Sequence, residues 1–205
     1  MHRTRLAVVL SAMTLLAGTT LGAAPAAADR GSGGDTKRVE VRDDCDPATF
    51  NAALGPGACV GEGETTIEEF SAEFERTGAV DDWDFKPDDF HIDHGDRIRA
   101  VSTGGEFHTF TEVAEFGDGC VPDLNGEVST PVPECRDEEL FFATAMPPGA
   151  RLTVAGLDPG THRFECLIHP WMRSVVEVRG DDDDGDDDDE HDDQAEHAGH
   201  SGHSG

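Results

Sequence analysis

Residues 160–178 read GTHRFECLIHPWMRSVVEV, with two short β-like stretches on either side of a compact loop. The loop runs from Cys166 to Met172 and has the spacing C-x2-H-x2-M. A thiolate, an imidazole and a thioether on one tight loop form a soft donor set, which suits copper far better than magnesium or calcium. A trigonal copper site with a weak axial thioether needs one further histidine. His108 is the candidate, because it lies between two strand-like runs upstream.

The N-terminus has the pattern of a secretory signal peptide over residues 1–28. Arg3 and Arg5 precede a short apolar run from Leu6 to Leu16, and small residues lead to a cleavage site after Ala28. The sequence therefore predicts a secreted or otherwise extracytoplasmic protein, with no membrane span in the mature chain. An uncleaved N-terminal anchor is the less favoured alternative.

Five cysteines leave one thiol over if the others form disulfides. Four cysteines can pair in three ways. Local pairing favours Cys45–Cys59 and Cys120–Cys135, each closing a loop of about 15 residues and contributing about 3 kcal/mol in the chain-entropy model. Cys166 is then the odd thiol. Outside the cell an unoccupied thiol is a liability, which favours a metal-ligand role for it.

Short apolar stretches separated by Gly- and Pro-containing turns follow one another from Trp83 onward. This spacing is typical of an all-β sandwich. The predicted strands centre on Phe85–Ile92, Ile98–Val101, Phe107–Val113, Leu140–Phe142, Leu152–Val154, His162–Cys166 and Val175–Val178.

Two short helices are predicted ahead of these strands. The first begins at Pro47 after the N-cap Asp46 and ends at Gly55. The second follows a cap at Thr65 or Thr66. Its apolar residues fall on one helix face: Ile67, Phe70 and Phe74.

The ligand pattern and the turns together resemble the cupredoxins, the plastocyanin/azurin family of blue copper proteins. The loop, with Pro170 directly after the histidine, is most similar to that of amicyanin. The resemblance covers roughly residues 65–180. It also rests on Phe85-Lys86-Pro87, Gly95-Asp96, His108 and Pro159-Gly160-Thr161.

The resemblance implies an all-β, cupredoxin-like Greek-key β-sandwich with a short helical N-terminal extension, and one type 1 copper per chain. By position, the equatorial ligands are His108, Cys166 and His169, and Met172 is the weak axial ligand. Thr109 stands where the family often has Asn. Its backbone N–H, with its hydroxyl as a second donor, is expected to hydrogen-bond the thiolate and tune the potential.

The same resemblance suggests where electrons enter. The ring edge of His169 is expected near the surface, framed by an apolar patch of Leu167, Ile168, Pro170 and Trp171. Two positions depart from the family: His162 and Phe164 stand where Tyr is usual.

The charge of the chain restricts its partners. Lys and Arg total 15 and Asp and Glu total 44, for a formal net charge of −29. This excludes binding to the nucleic-acid backbone and electrostatic docking on anionic lipid. It favours a redox partner with a basic docking surface, whose association slows as salt rises.

The predicted organisation has five parts. They are a signal peptide over 1–28, a flexible lead-in over 29–44, a disulfide-held extension over 45–64, a cupredoxin domain over 65–180 and a disordered Asp/His-rich tail over 181–205. The tail histidines either bind copper or zinc loosely or belong to a merely solubilising segment. For His91 and His94, spaced H-x2-H, a solvated face is favoured over a metal site.

The sequence favours single-electron transfer by an exported copper protein, expected to be a monomer. Extracellular copper binding, buffering or delivery assisted by the tail is the alternative. An enzyme such as a multicopper oxidase or copper nitrite reductase is disfavoured. Those centres commonly use H-x-H pairs and a second cupredoxin domain, and this sequence contains no H-x-H pair.

Overall fold

β-Strands dominate the folded part of the chain. The structure, a computed structural model, describes residues 34–126 and 129–180. The predicted signal peptide over 1–28 and the predicted tail over 181–205 lie outside the described residues. The strands are β1 (Thr36–Arg42), β2 (Asp84–Lys86), β3 (Asp89–Asp93), β4 (Arg97–Ser102), β5 (His108–Thr109), β6 (Thr111–Val113), β7 (Ala145–Met146), β8 (Arg151–Ala155), β9 (Gly160–Glu165) and β10 (Arg173–Arg179).

Three α-helices and two 3-10 turns accompany these strands in the described ranges. They are α1 (Pro47–Leu54), α2 (Ile67–Thr77), α3 (Glu138–Ala143) and 3-10 turns at Pro122–Leu124 and Pro133–Arg136. No helix in these ranges is long and apolar enough to cross a bilayer.

The strands form two mixed four-stranded sheets, in the orders β2-β1-β4-β8 and β3-β10-β9-β6, and β5 pairs with β7. In the first sheet β1 runs parallel to β4, and in the second β10 runs parallel to β3. The remaining pairs are antiparallel. The predicted all-β sandwich with an N-terminal helical extension is confirmed.

An aromatic stack joins the strands that carry the metal-ligand candidates. The ring of Phe110 lies parallel to that of Phe164 at 4.5 Å between centroids, and Phe85 meets Phe110 edge-on at 5.1 Å. All three side chains are buried. Burying aromatic rings of this size contributes strongly to core stability. The stack therefore fixes the position of β5 relative to β9.

The predicted flexible lead-in is wrong over residues 36–42. These residues form β1, which lies between β2 and β4. Val39 and Val41 are wholly buried, while the charged residues between and beside them face outward or lie partly exposed. Alternation of this kind is a strand signal. The sandwich therefore begins before the disulfide-held extension, and not at residue 65.

Both predicted N-terminal helices are confirmed. The side chain of Asp46 accepts hydrogen bonds from the first turn of α1, which begins at Pro47 and ends at Leu54 with Gly55 as its C-cap. Thr66 caps α2 in a reciprocal capping box with Glu69. Caps of this kind satisfy backbone N–H groups that the helix itself leaves unpaired.

The favoured disulfide pairing is also confirmed. Cys45 is bonded to Cys59 and Cys120 to Cys135, and Cys166 is left as a buried thiol.

The predicted strand at Leu140–Phe142 is wrong, because these residues lie in α3. Asp137 caps this helix and accepts a hydrogen bond from the Leu140 N–H at 2.9 Å. Glu138 and Glu139 occupy the first turn, where carboxylates interact favourably with the helix dipole. The period of a short apolar run does not distinguish a strand from a helix. Here the N-cap at Asp137 is the feature that indicates a helix.

Candidate metal centre

Two strands and one loop bring the predicted ligands together. His108 lies in β5, opposite Met146 of β7. Cys166 follows directly after β9, and the loop that carries His169 and Met172 leads into β10. The Cys166 N–H donates to the carbonyl of Met172 at 3.1 Å, and the Met172 N–H donates to that of His169 at 2.9 Å. These bonds close the loop tightly.

Three candidate ligand atoms converge in the interior. The Cys166 Sγ lies 3.9 Å from the Nδ1 of His108 and 3.9 Å from the Nδ1 of His169, and the two Nδ1 atoms are 3.2 Å apart. All three residues are buried. In the described residues this is the one His/Cys/Asp/Glu group found with metal-site geometry. Two imidazoles and a thiol at these distances fit a single soft or borderline metal ion.

Met172 is wholly buried on the same loop. Its place in the loop suits a thioether ligand, and its assignment as the axial ligand stays a prediction.

The surroundings of Cys166 favour its thiolate form. Burial by itself would raise its pKa, but hydrogen bonding to His108 and His169 lowers the pKa well below the ordinary value. A deprotonated sulfur is the form that binds metal.

Two backbone N–H groups point at this sulfur. Thr109 donates to Sγ at 3.4 Å, as predicted, and His169 donates at 3.5 Å. The Thr109 hydroxyl does not join them. It accepts instead from the Leu167 N–H at 2.8 Å and from the Thr111 hydroxyl at 3.1 Å. The threonine therefore ties the ligand loop to β5 while its backbone serves the thiolate.

A buried carboxylate lies behind His108. The Nε2–H of His108 donates to Oδ2 of Asp43 at 2.7 Å, and both side chains are fully inaccessible to solvent. Burial would raise the pKa of Asp43, but the hydrogen bonds it accepts from His108 and from the backbone of Gly105 and Glu106 lower it to about 2. Burial would lower the pKa of His108, but Asp43 and Cys166 raise it to about 9.

A second carboxylate lies near His169. Glu106 accepts a hydrogen bond from the indole N–H of Trp83 at 2.7 Å, and the same oxygen lies 3.7 Å from the Nε2 of His169. Burial raises the pKa of Glu106, although His169 and Trp83 oppose that effect. Both candidate ligand histidines thus have a carboxylate near Nε2, while Nδ1 faces the thiol. The sequence predicted neither contact, because Asp43 lies 65 residues before His108 and Glu106 lies 63 residues before His169.

The prediction that the ring edge of His169 lies near the surface is wrong. The residue is only 4% exposed, and Leu167 is wholly buried. Helix α2 covers this side of the loop: Phe70 packs edge-on against His169 at 6.4 Å between centroids, and Phe74 lies 5.2 Å from Trp171. Helix α2 therefore closes the surface at which the apolar patch was expected.

His169 does line a groove beside that helix. The groove has a volume of about 460 Å³ and lies between the extension and the segment around Leu124. Leu54 and Phe107 at its wall are 61% and 39% exposed. The groove is mostly apolar, and the candidate ligand His169 forms part of its wall.

The other histidines singled out above lie apart from the cluster. His91 is exposed on β3, and His94 is exposed at the following turn. His162 contacts Glu112 and the carbonyl of Asp158. None of the three belongs to the metal-type group of the described residues.

Comparison with known proteins gives structural neighbours alone. No protein-family profile matches the chain, and no curated protein does. A purple cupredoxin from Nitrosopumilus maritimus is 11% identical, with a TM-score of 0.36, over 69% of this chain and 98% of its own. Oxidised plastocyanin from Dryopteris crassirhizoma is 16% identical, with a TM-score of 0.33, over 69% of this chain and 99% of its own. A reduced amicyanin variant is 21% identical, with a TM-score of 0.29, over 45% and 70%.

The two mixed sheets form the β-sandwich that the resemblance to the cupredoxins implied. The His–Cys–His cluster lies on β5 and on the loop between β9 and β10, as the sequence predicted.

Proposed function

We propose that this chain is an exported type 1 copper protein that carries single electrons between redox partners. One copper would be held by His108, Cys166 and His169, with Met172 as the weak axial ligand. The supporting observation is the buried cluster of two imidazoles and one thiol, with Nδ1 to Sγ distances of 3.9 Å. The two disulfides support export, because such bonds persist in oxidising compartments.

Copper would supply a one-electron couple that makes and breaks no substrate bond, so the proposed role is that of a carrier and not of an enzyme. The protein's part is to hold one ligand geometry. The backbone bonds within the loop, the Thr109 hydroxyl contact with Leu167 and the aromatic stack all restrict movement of the donors. A donor set that does not rearrange needs little reorganisation when its charge changes. Hydrogen bonds to the sulfur and the axial thioether tune the potential.

The groove beside α2 is the proposed electron port. His169 forms part of its wall, so a partner seated in the groove would come close to a ligand ring without entering the centre. Of the two helices that line it, α2 holds four glutamates and one arginine, and α1 has no charged residue. A partner with a basic surface and a protruding apolar side chain suits this combination, and such redox encounters are small and weak.

A copper titration of the full mature chain tests the proposal. We expect an intense visible charge-transfer band and a narrow copper hyperfine splitting in EPR, both saturating at one copper. Cys166→Ala should abolish the band, and the matched variant His91→Ala should leave it unchanged. A pale complex in the wild-type chain, or a band that survives in Cys166→Ala, would contradict the proposed site.

Copper buffering or delivery is a second candidate, favoured by the histidines and aspartates of residues 181–205. It predicts more than one copper per chain. A chain that ends at Gly180 should then bind fewer ions than the full chain. Equal stoichiometry and equal affinity in the two forms would remove this candidate.

A further inference from the structure

Asp43 occupies a junction between the sandwich, the extension and the metal centre. It follows β1 directly and precedes the disulfide-bonded Cys45. Its carboxylate is fully buried and accepts four hydrogen bonds. The donors are Nε2 of His108 at 2.7 Å and the backbone N–H groups of Gly105 at 2.9 Å, Glu106 at 3.0 Å and Cys45 at 3.3 Å.

The glycine pair before the ligand histidine makes room for this carboxylate. A Cβ at Gly104 would collide with the carboxylate of Asp43. A Cβ at Gly105 would collide with the carbonyl of Val60 and press on the sulfur atoms of the Cys45–Cys59 disulfide. Close approach of backbone to another group is a common reason for glycine at a position. The two glycines therefore allow the loop carrying His108 to close onto Asp43.

We propose that Asp43 is a positioning residue of the copper centre: it fixes the ring of His108 with Nδ1 toward Cys166, and its negative charge stabilises Cu(II) relative to Cu(I). This inference rests on the proposed function. The hydrogen bond at Nε2 leaves Nδ1 as the nitrogen that faces the thiol. A carboxylate that accepts the other ring N–H of a ligating imidazole also makes that imidazole more basic.

The direction of the effect on the potential follows from charge. Inside a protein a fixed charge is weakly screened, so it acts strongly on a neighbouring ion. Cu(II) carries one more positive charge than Cu(I) and gains more from a nearby carboxylate. Asp43 should therefore lower the reduction potential of the centre. A role limited to holding the backbone turn at Gly105 and Glu106 would leave the potential unchanged.

Asp43→Asn tests the charge with little change of shape. We expect a higher reduction potential by voltammetry, and a Cu(II) dissociation constant larger by about 10–100-fold, the usual cost of losing such a partner. Cu(I) affinity should change less. Asp44→Asn is the matched control: Asp44 also binds backbone in this region, at the Glu64 N–H, but its bonds go to Glu64 and Thr65 and not to a ligand. It should leave the potential and both affinities unchanged.

Gly104→Ala is the second variant, and it keeps the charge while displacing the carboxylate. We expect faster exchange of the His108 Nε2–H proton, followed by NMR in zinc-loaded protein, and a smaller rise in potential than in Asp43→Asn. This variant decides the question if Asp43→Asn fails to fold.

Three results would overturn the inference. They are a folded, blue Asp43→Asn with the wild-type potential, an Asp44→Asn with an equal shift, or a Gly104→Ala with wild-type potential and proton exchange. Absence of a blue centre in the wild-type chain would instead refute the proposed function itself, before any variant is made.

Discussion

Individual polar contacts orient the two imidazole rings of the proposed metal centre. His108 has Asp43 at its Nε2, and His169 has Glu106 at a longer distance on the corresponding nitrogen. Glu106 is itself held by the indole N–H of Trp83. Each ring is therefore oriented by a group on a different part of the chain. Changes at these positions should alter the metal centre without removing a ligand.

His162 gives a residue-scale prediction for stability. Its Nδ1 lies 2.6 Å from Glu112 and its Nε2 2.7 Å from the Asp158 carbonyl, so both nitrogens donate when the ring is protonated. Burial lowers the pKa of His162, but these two contacts raise it overall. The interaction therefore stabilises the fold fully below the ordinary histidine pKa of about 6.5, and this stability is lost as pH rises through the raised pKa.

His162→Gln should accordingly lower the free energy of unfolding by about 0.2–1 kcal/mol at pH near 5.5, since exposed ion pairs contribute this much. The effect should shrink at pH near 9, above the ordinary pKa of about 6.5. Urea unfolding of the copper-free chain at the two pH values measures it. His91→Gln, an exposed residue of β3, serves as the control and should change little at either pH. A larger effect of His162→Gln at the higher pH would contradict the prediction.

At the scale of elements, the cap of α2 should contribute measurably to stability. Thr66 and Glu69 satisfy each other's backbone N–H groups at its start. Thr66→Ala should cost about 1 kcal/mol in the free energy of unfolding. Glu75→Ala, an exposed change in the same helix, should cost much less. Equal losses in the two variants, measured by urea unfolding, would argue against the capping box.

Helix α2 also covers one side of the proposed metal centre. Phe70 contacts His169, while Phe74 contacts Trp171 but has no ring contact with His169. Phe70→Ala should cost about 3–5 kcal/mol, as for other buried phenylalanines, and should speed reduction of the copper by a small hydrophilic reductant. Phe74→Ala is the matched change in the same helix and should leave that rate nearly unchanged. Equal reduction rates in both variants would show that Phe70 does not shield His169.

The elements differ in how far the sequence predicts them. Donors within one loop, such as Cys166 and His169, are readable because their types and spacing are local. Caps such as Asp46 and Thr66 are local too. Contacts that join distant segments are not readable in this way: Asp43 meets His108 across 65 residues of sequence. The packing of Phe70 against His169 was not predicted for the same reason, because it depends on how helix α2 packs against the loop.

Two elements were misread for different reasons. In β1 the alternation of Val39 and Val41 with charged residues was present, but the surrounding charge favoured a flexible segment. In α3 the apolar run was short enough to suit either structure, and only the cap at Asp137 distinguishes them. Short elements carry too few residues for their period to be decisive.

At the scale of the whole molecule, net charge should govern the rate of electron exchange. The chain carries a formal charge of −29, and opposite charges are steered together at low salt. The screening length falls from about 30 Å at 0.01 M salt to about 10 Å at 0.1 M. Raising salt should therefore slow oxidation of the reduced protein by tris(1,10-phenanthroline)cobalt(III), a cation, and speed its oxidation by hexacyanoferrate(III), an anion. Stopped-flow rates measure both.

A chain that ends at Gly180 lacks the acidic residues 181–205. It should show the same signs with shallower salt dependence, because part of the charge is removed while the port beside His169 is kept. A change of both rates in the same direction would refute charge steering. It would indicate instead that salt alters the groove beside His169. If truncation abolished the dependence altogether, the steering charge would lie in residues 181–205 and not on helix α2.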